Sequence, residues 1–94
     1  MIPSLAVKLK VARLYTGLTQ LDAAKASGLG VKSISSWETG ERLDSLKIFQ
    51  LARLLRIYGH TLSRFFAWRL TPEERQMAED NYHTQASPDW TVAL

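Results

Sequence analysis

The sequence contains no cysteine, which excludes a disulfide scaffold, a zinc finger and a thiol nucleophile. Histidine is almost as scarce. With only His60 and His83, a histidine-rich metal site is not expected. No apolar run approaches the ~20 residues that a membrane-spanning helix needs. The opening Met1-Ile2-Pro3-Ser4 lacks the charged-then-apolar layout of a signal peptide, so a soluble, cytoplasmic protein is expected. Only three prolines occur, at Pro3, Pro72 and Pro88, and the stretches between them are free of helix breakers of that kind. Nothing resembles a glycine-rich phosphate loop, a metal-ligand cluster or a nucleophile–base pair, so the chain reads as no enzyme and as needing no cofactor. The 94 residues leave room for one domain and none for a separate sensor, so no small-molecule substrate or effector is expected.

What is present is charge of uneven distribution. Residues 1–70 carry eleven Lys and Arg against four Asp and Glu, and residues 71–94 carry one Arg against five acids. A basic body with an acidic appendage attracts polyanions, with nucleic acid first among them, although an excess of this size also serves solubility alone. The natural division is a body of residues 1–70 and a C-terminal segment of residues 71–94.

The patterning is helical throughout. Leu5, Leu9 and Ala12 recur at helical spacing in a first helix over 4–15, which Gly17 ends. Thr19 and Asp22 form a capping box for a second helix over 20–27, closed by Gly28. Gly30 is a weak cap for a third helix over 31–38, which Gly40 stops. Asp44 is expected to cap a fourth helix over 45–57. Its wide apolar arc of Leu46, Ile48, Phe49, Leu51, Ala52, Leu54, Leu55 and Ile57 marks the central core helix. Thr61 caps a fifth helix reaching about residue 70. Thr71-Pro72-Glu73-Glu74 opens a sixth that runs to about residue 83, followed by the apolar tail Trp90 to Leu94. The class is all-α.

Two short helices around a glycine turn, over about 19–38, form either a helix-turn-helix or an ordinary helical corner. The residues say more than the spacing. Arg13, Gly17-Leu18-Thr19-Gln20, Ala24, Gly28, Ile34-Ser35, Trp37-Glu38, Gly40 and Arg42 resemble the Cro/CI-type helix-turn-helix family, the Xre family, with the likeness continuing through Leu51-Ala52 and Leu55. The resemblance implies a five-helix, lambda-repressor-like DNA-binding domain, here with an added C-terminal helix and tail. Ala23 and Ser27 stand where that family has bulkier apolar residues, and Trp37 or Phe49 is expected to fill the space.

By the same resemblance, Val31, Lys32 and Ser36 fall on base-reading positions of the third helix. Ser35 belongs to the same exposed face. Lys32 suits guanine O6 and N7 or a phosphate, Val31 a thymine methyl, and the serines either base or backbone. Thr19 and Gln20 at a helix N-terminus are candidate phosphate contacts, as are Ser33, Thr39, Arg42 and Lys47. Arg13 and Glu38 are implied to be a structural salt bridge. Phe65, Phe66, Trp68, Tyr82 and Trp90 are candidate dimer contacts, though the same aromatics would equally cap the monomer core. The acidic sixth helix is a candidate partner for Arg53 and Arg56 of the fourth, in the same or a neighbouring subunit.

The resemblance therefore implies a sequence-specific, dimeric repressor that binds double-stranded DNA at an inverted repeat, in a bacterial or phage setting and associated with the nucleoid. Two alternatives stay open. One is an antitoxin or restriction-system controller whose residues 61–94 bind a protein partner. The other is a pure protein-interaction module on the same scaffold.

Overall fold

The computed structural model describes residues 2–80, and the expectations placed on Tyr82, His83 and Trp90 lie outside them. Among the described residues there are six α-helices and no strand: α1 (Ser4–Thr16), α2 (Gln20–Ser27), α3 (Val31–Thr39), α4 (Ile48–Tyr58), α5 (Leu62–Ala67) and α6 (Pro72–Asp80), with a short 3₁₀ turn at Leu43–Ser45.

Local chemistry sets most of the boundaries. Thr19 Oγ1 accepts from the Asp22 N–H at 3.0 Å, and the Asp22 carboxylate accepts from the Thr19 N–H at 3.1 Å, closing the expected capping box. Thr61 caps α5 by accepting from the Arg64 N–H. Gly40 ends α3 at φ +85°, and a Cβ there would lie 2.7 Å from the Pro3 ring. Only glycine satisfies both the left-handed backbone and the close approach of the chain start.

The fourth helix begins later than expected. The chain makes the 3₁₀ turn at Leu43–Ser45 first, so Asp44 caps nothing, and α4 starts at Ile48 with the Lys47 N–H donating to the Gln50 side chain at 2.9 Å. The core face of α4 is Leu51, Leu54, Leu55 and Tyr58, spaced three and four apart. Ile48 and Phe49, expected in the core, stand one turn earlier and are exposed.

The main core gathers Leu9 and Ala12 of α1, Ala23 and Ala24 of α2, Ile34 and Trp37 of α3, the α4 face and Phe65 of α5. Each large side chain buried here contributes roughly 1.5–3 kcal/mol. Trp37, not Phe49, is the bulky residue in the core that receives Ala23. It is 2% exposed, and its indole N–H donates to Ser45 Oγ at 3.1 Å.

α6 is held separately. Ala78 and Met77 pack with Val7 and Val11 of α1 and with Trp68 and Leu70, in a cluster distinct from the main core. α6 thus docks on α1, which corrects the expected pairing with the basic face of α4 within the same subunit. Arg53 instead donates to the Ser27 carbonyl at 3.2 Å. The polar part of the α6 dock is a single carboxylate. Glu74 accepts from the Thr71 N–H at 3.0 Å and from the Trp68 indole at 3.2 Å through one oxygen, and from the Tyr15 hydroxyl at 2.6 Å through the other. Lys8 makes a second tie, donating to the Phe65 and Phe66 carbonyls at the end of α5.

Two outcomes are expected. Trp37→Ala should cost ~3–5 kcal/mol in urea or thermal unfolding, whereas Phe49→Ala should change stability by no more than about 0.5 kcal/mol. The second concerns acid. Burial pushes the Glu74 carboxyl up, but the hydrogen bonds from Tyr15, Thr71 and Trp68 outweigh it and hold the group below the usual carboxylate range. A group depressed in the folded state contributes fully above its ordinary value and loses that contribution as pH falls through the lowered one. Amide resonances of residues 72–80 should therefore report loosening on acidification. Glu74→Gln should show the same loosening at neutral pH.

Candidate nucleic-acid interface

The interface starts from a buried ion pair. Arg13 on α1 is fully buried and Glu38 on α3 is 4% exposed. The guanidinium grips the carboxylate with two parallel bonds, Nε to Oε2 at 2.7 Å and Nη2 to Oε1 at 2.9 Å. The third nitrogen donates to the Leu18 carbonyl at 2.8 Å, which fixes the loop leading into α2. Glu38 also accepts from the Gln20 side-chain amide at 3.1 Å. One carboxylate thereby ties α1, α2 and α3 together.

Other titratable groups surround this pair. Lys10 is nearly buried. Burial pushes its ammonium below the usual lysine range, with Glu38 opposing that and Arg13 adding to it. Burial raises the Tyr58 phenol well above its ordinary value, the Glu38 charge adds to the rise, and the Arg13 charge opposes it. The Tyr58 hydroxyl is buried without a hydrogen-bond partner among the described residues.

This arrangement fixes which face of α3 is outward. Ile34, Trp37 and Glu38 are buried. Val31, Lys32 and Ser33 are exposed, and Ser35 and Ser36 are half-buried. Val31 lies four residues before Ser35, and Lys32 four before Ser36, so the four expected base-reading residues share one face. An α-helix fits the width of a major groove, and the chemistry of this face is one cation, two hydroxyls and one methyl pair.

The expected backbone contacts divide by environment. Thr19 is exposed at the start of α2, where unpaired N–H groups favour an anion, but its hydroxyl is already engaged in the cap. Gln20 spends one N–H on Glu38, which fixes the amide in position and leaves its second N–H without a partner among the described residues. Arg42 and Lys47 are exposed on the segment between α3 and α4. Ser33 is exposed near the start of α3. Thr39 is half-buried, and its hydroxyl lies 3.0 Å from the Ser36 carbonyl and 2.9 Å from the Glu41 carboxylate, so it is occupied within the chain.

The aromatic candidates for a dimer contact also separate. Phe65 is fully buried and has nothing to offer a partner. Trp68 is half-buried, stacked on His60 with ring centroids 5.3 Å apart and bonded to Glu74. Phe66 is 56% exposed. The bonds from Gln20 to Glu38 and from Tyr15 to Glu74 leave no signal in the sequence, because each joins residues far apart in the chain and neither leaves a local periodicity.

Removing half of the ion pair should be costly. Glu38→Ala strands the buried Arg13 charge and should cost ~3–5 kcal/mol in denaturant unfolding. Tyr58→Phe removes a buried hydroxyl that lacks a partner among the described residues, and should raise the denaturation midpoint rather than lower it.

Residues 4–66, more than half of the chain, match the family described as Helix-turn-helix domain. No curated protein and no solved structure matches the chain significantly. Among the described residues no helix is long and apolar enough to cross a membrane. With two short helices around a glycine turn, an outward face on the second and the family match spanning both, the chain belongs to the helix-turn-helix domain family.

Proposed function

We propose that this protein is a sequence-specific DNA-binding transcriptional regulator of the Cro/CI type, acting as a dimeric repressor on an inverted repeat. The observation that carries the reading is the outward face of α3. Val31, Lys32, Ser35 and Ser36 stand on it together, and the ion pair beneath holds it in register with the start of α2. A reading helix gains specificity only when its angle to the anchoring contacts is fixed. Here Glu38 sets that angle and positions Gln20 at the same time.

In this reading α3 lies in the major groove. Lys32 donates to guanine or to a phosphate, Val31 meets a thymine methyl, and Ser35 and Ser36 bond base edges or backbone. Thr19 and Gln20 meet a phosphate through the N-terminus of α2, and Arg42, Lys47 and Ser33 extend the track along the backbone. Two copies place their reading helices about one DNA turn, roughly 34 Å, apart. The protein then acts on nucleoid or phage DNA in the cytoplasm, with no catalytic step and no cofactor.

A second reading keeps the DNA-binding body and adds a protein partner, as in an antitoxin or restriction-system controller. It is favoured by α6, which lies beyond the residues that match the family and is held in a separate cluster.

The test is fluorescence anisotropy on the upstream region of the protein's own coding sequence and on random duplex, across a salt series. A dimer making about six to ten phosphate contacts should lose ~10³–10⁵ in affinity between about 50 and 200 mM salt. Arg42→Ala should lower the slope by about two, one for each subunit. Lys32→Ala should cost ~1–3 kcal/mol on the preferred site and little on random duplex if it reads a base, or weaken both equally if it binds phosphate. Absence of binding to either duplex at low salt overturns the proposal.

A further inference from the structure

Arg42 stands on the segment between α3 and α4, and its side chain is exposed, so its aim is set by its own backbone. Ser45 holds that backbone twice. The Arg42 carbonyl accepts from the Ser45 N–H at 3.0 Å and from the Ser45 hydroxyl at 2.7 Å. The same hydroxyl oxygen accepts from the Trp37 indole N–H at 3.1 Å. The first of these bonds closes the 3₁₀ turn, and any residue but proline could make it. The other two need a hydroxyl. An indole N–H only donates and a carbonyl only accepts, so the atom between them must do both. Serine does so with its proton toward the carbonyl and a lone pair toward the indole.

Trp37 makes this link more than the closing of a turn. It is buried in the main core, on the far side of α3 from Val31, Lys32, Ser35 and Ser36. The segment leaves α3 with the Gly40 N–H donating to the Trp37 carbonyl at 3.2 Å, and five residues later Ser45 meets the Trp37 indole. Residues 40–45 are thus a loop fastened at both ends to one residue of the third helix. A tilt of α3 moves the indole, and the indole carries the Arg42 carbonyl with it. Leu43 and Leu46 also pack against the main core on either side of Ser45. Apolar contact is not directional, so those leucines hold the segment down without fixing where Arg42 points.

We propose that Ser45 is a positioning residue for a DNA-backbone contact by Arg42, and that it locks this contact to the reading face of α3 through the Trp37 indole. This rests on the DNA-binding reading above. The base-reading side chains and the phosphate anchor then move as one piece, and binding costs no separate ordering of residues 40–45. Ser45 acts through Arg42 and need not touch the DNA.

The test is a double-mutant cycle on the full chain, with circular dichroism to check that each variant is folded. Binding to a random-sequence duplex at about 50 mM salt is measured by anisotropy for the wild type, Ser45→Ala, Arg42→Ala and the pair. Ser45→Thr, which keeps the hydroxyl, is the rescue. Ser45 is exposed, so these replacements leave the core packing intact. Ser45→Ala should raise the dissociation constant about three- to tenfold, and less than about twofold when Arg42 is already alanine. Ser45→Thr should bind as the wild type does. Without DNA, the Trp37 indole N–H should exchange with solvent faster in Ser45→Ala and return to the wild-type rate in Ser45→Thr. Wild-type affinity in Ser45→Ala overturns the proposal, as does an unchanged indole exchange rate. An equal loss with and without Arg42 also overturns it, because a purely structural role weakens both backgrounds alike. So does a Ser45→Thr variant as weak as Ser45→Ala. A wild type that binds no duplex overturns the regulator reading and this proposal together, whereas a wild type that binds and is matched by Ser45→Ala overturns this proposal alone.

Discussion

The fold turns on one carboxylate. Glu38 is buried, faces two guanidinium nitrogens of Arg13 and takes a third hydrogen bond from Gln20. A buried charge pair is a poor source of net stability, because desolvating both ions offsets most of their attraction. Its value here is geometric. α2 and α3 are eight and nine residues long, too short to hold a fixed angle by packing area alone. A bidentate fork between α1 and α3, with a third contact to α2 and a fourth to the connecting loop, leaves one arrangement of the three helices. The surface face of α3 inherits its direction from that arrangement.

The same economy appears at the other end of the molecule. α6 buries only Ala78 and half-buries Met77, a small apolar contribution for a nine-residue helix. Glu74 compensates by serving three donors from α1, the α5–α6 connection and its own cap. The Glu74 carboxylate beside it pushes the Tyr15 phenol up, as an anion accepting its proton must. The body that matches the family and α6 are thus joined by a small apolar cluster and one acid, which gives α6 a low expected local stability among the described helices.

Short-range chemistry made much of this legible in advance. The Thr19–Asp22 box, the Thr71–Glu74 box and the glycines after α1, α2 and α3 each act within four residues, and the helix limits there follow the sequence closely. The start of α4 was misjudged because Asp44 has the chemistry of a cap, while the chain uses those residues for a 3₁₀ turn. Phe49 was misplaced because periodicity identifies an apolar face but not where the neighbouring helices stop covering it. The ion pair was legible only through resemblance, since residues 25 positions apart leave no spacing signal. The bonds from Gln20 to Glu38, Arg53 to Ser27 and Tyr15 to Glu74 were not legible at all. Each depends on how helices distant in sequence come to lie side by side.

The central claim is that the outward side of α3, with the N-terminus of α2, is the surface that meets duplex DNA. It is tested most directly by following backbone amide resonances as duplex is titrated into the protein. The account predicts the largest shifts at 19–20, 31–36 and 42, with α6 and Phe66 little changed apart from any effect of dimer formation. Shifts concentrated instead on α4, α5 and α6, with 31–36 unmoved, would contradict it and assign the basic body to a different partner.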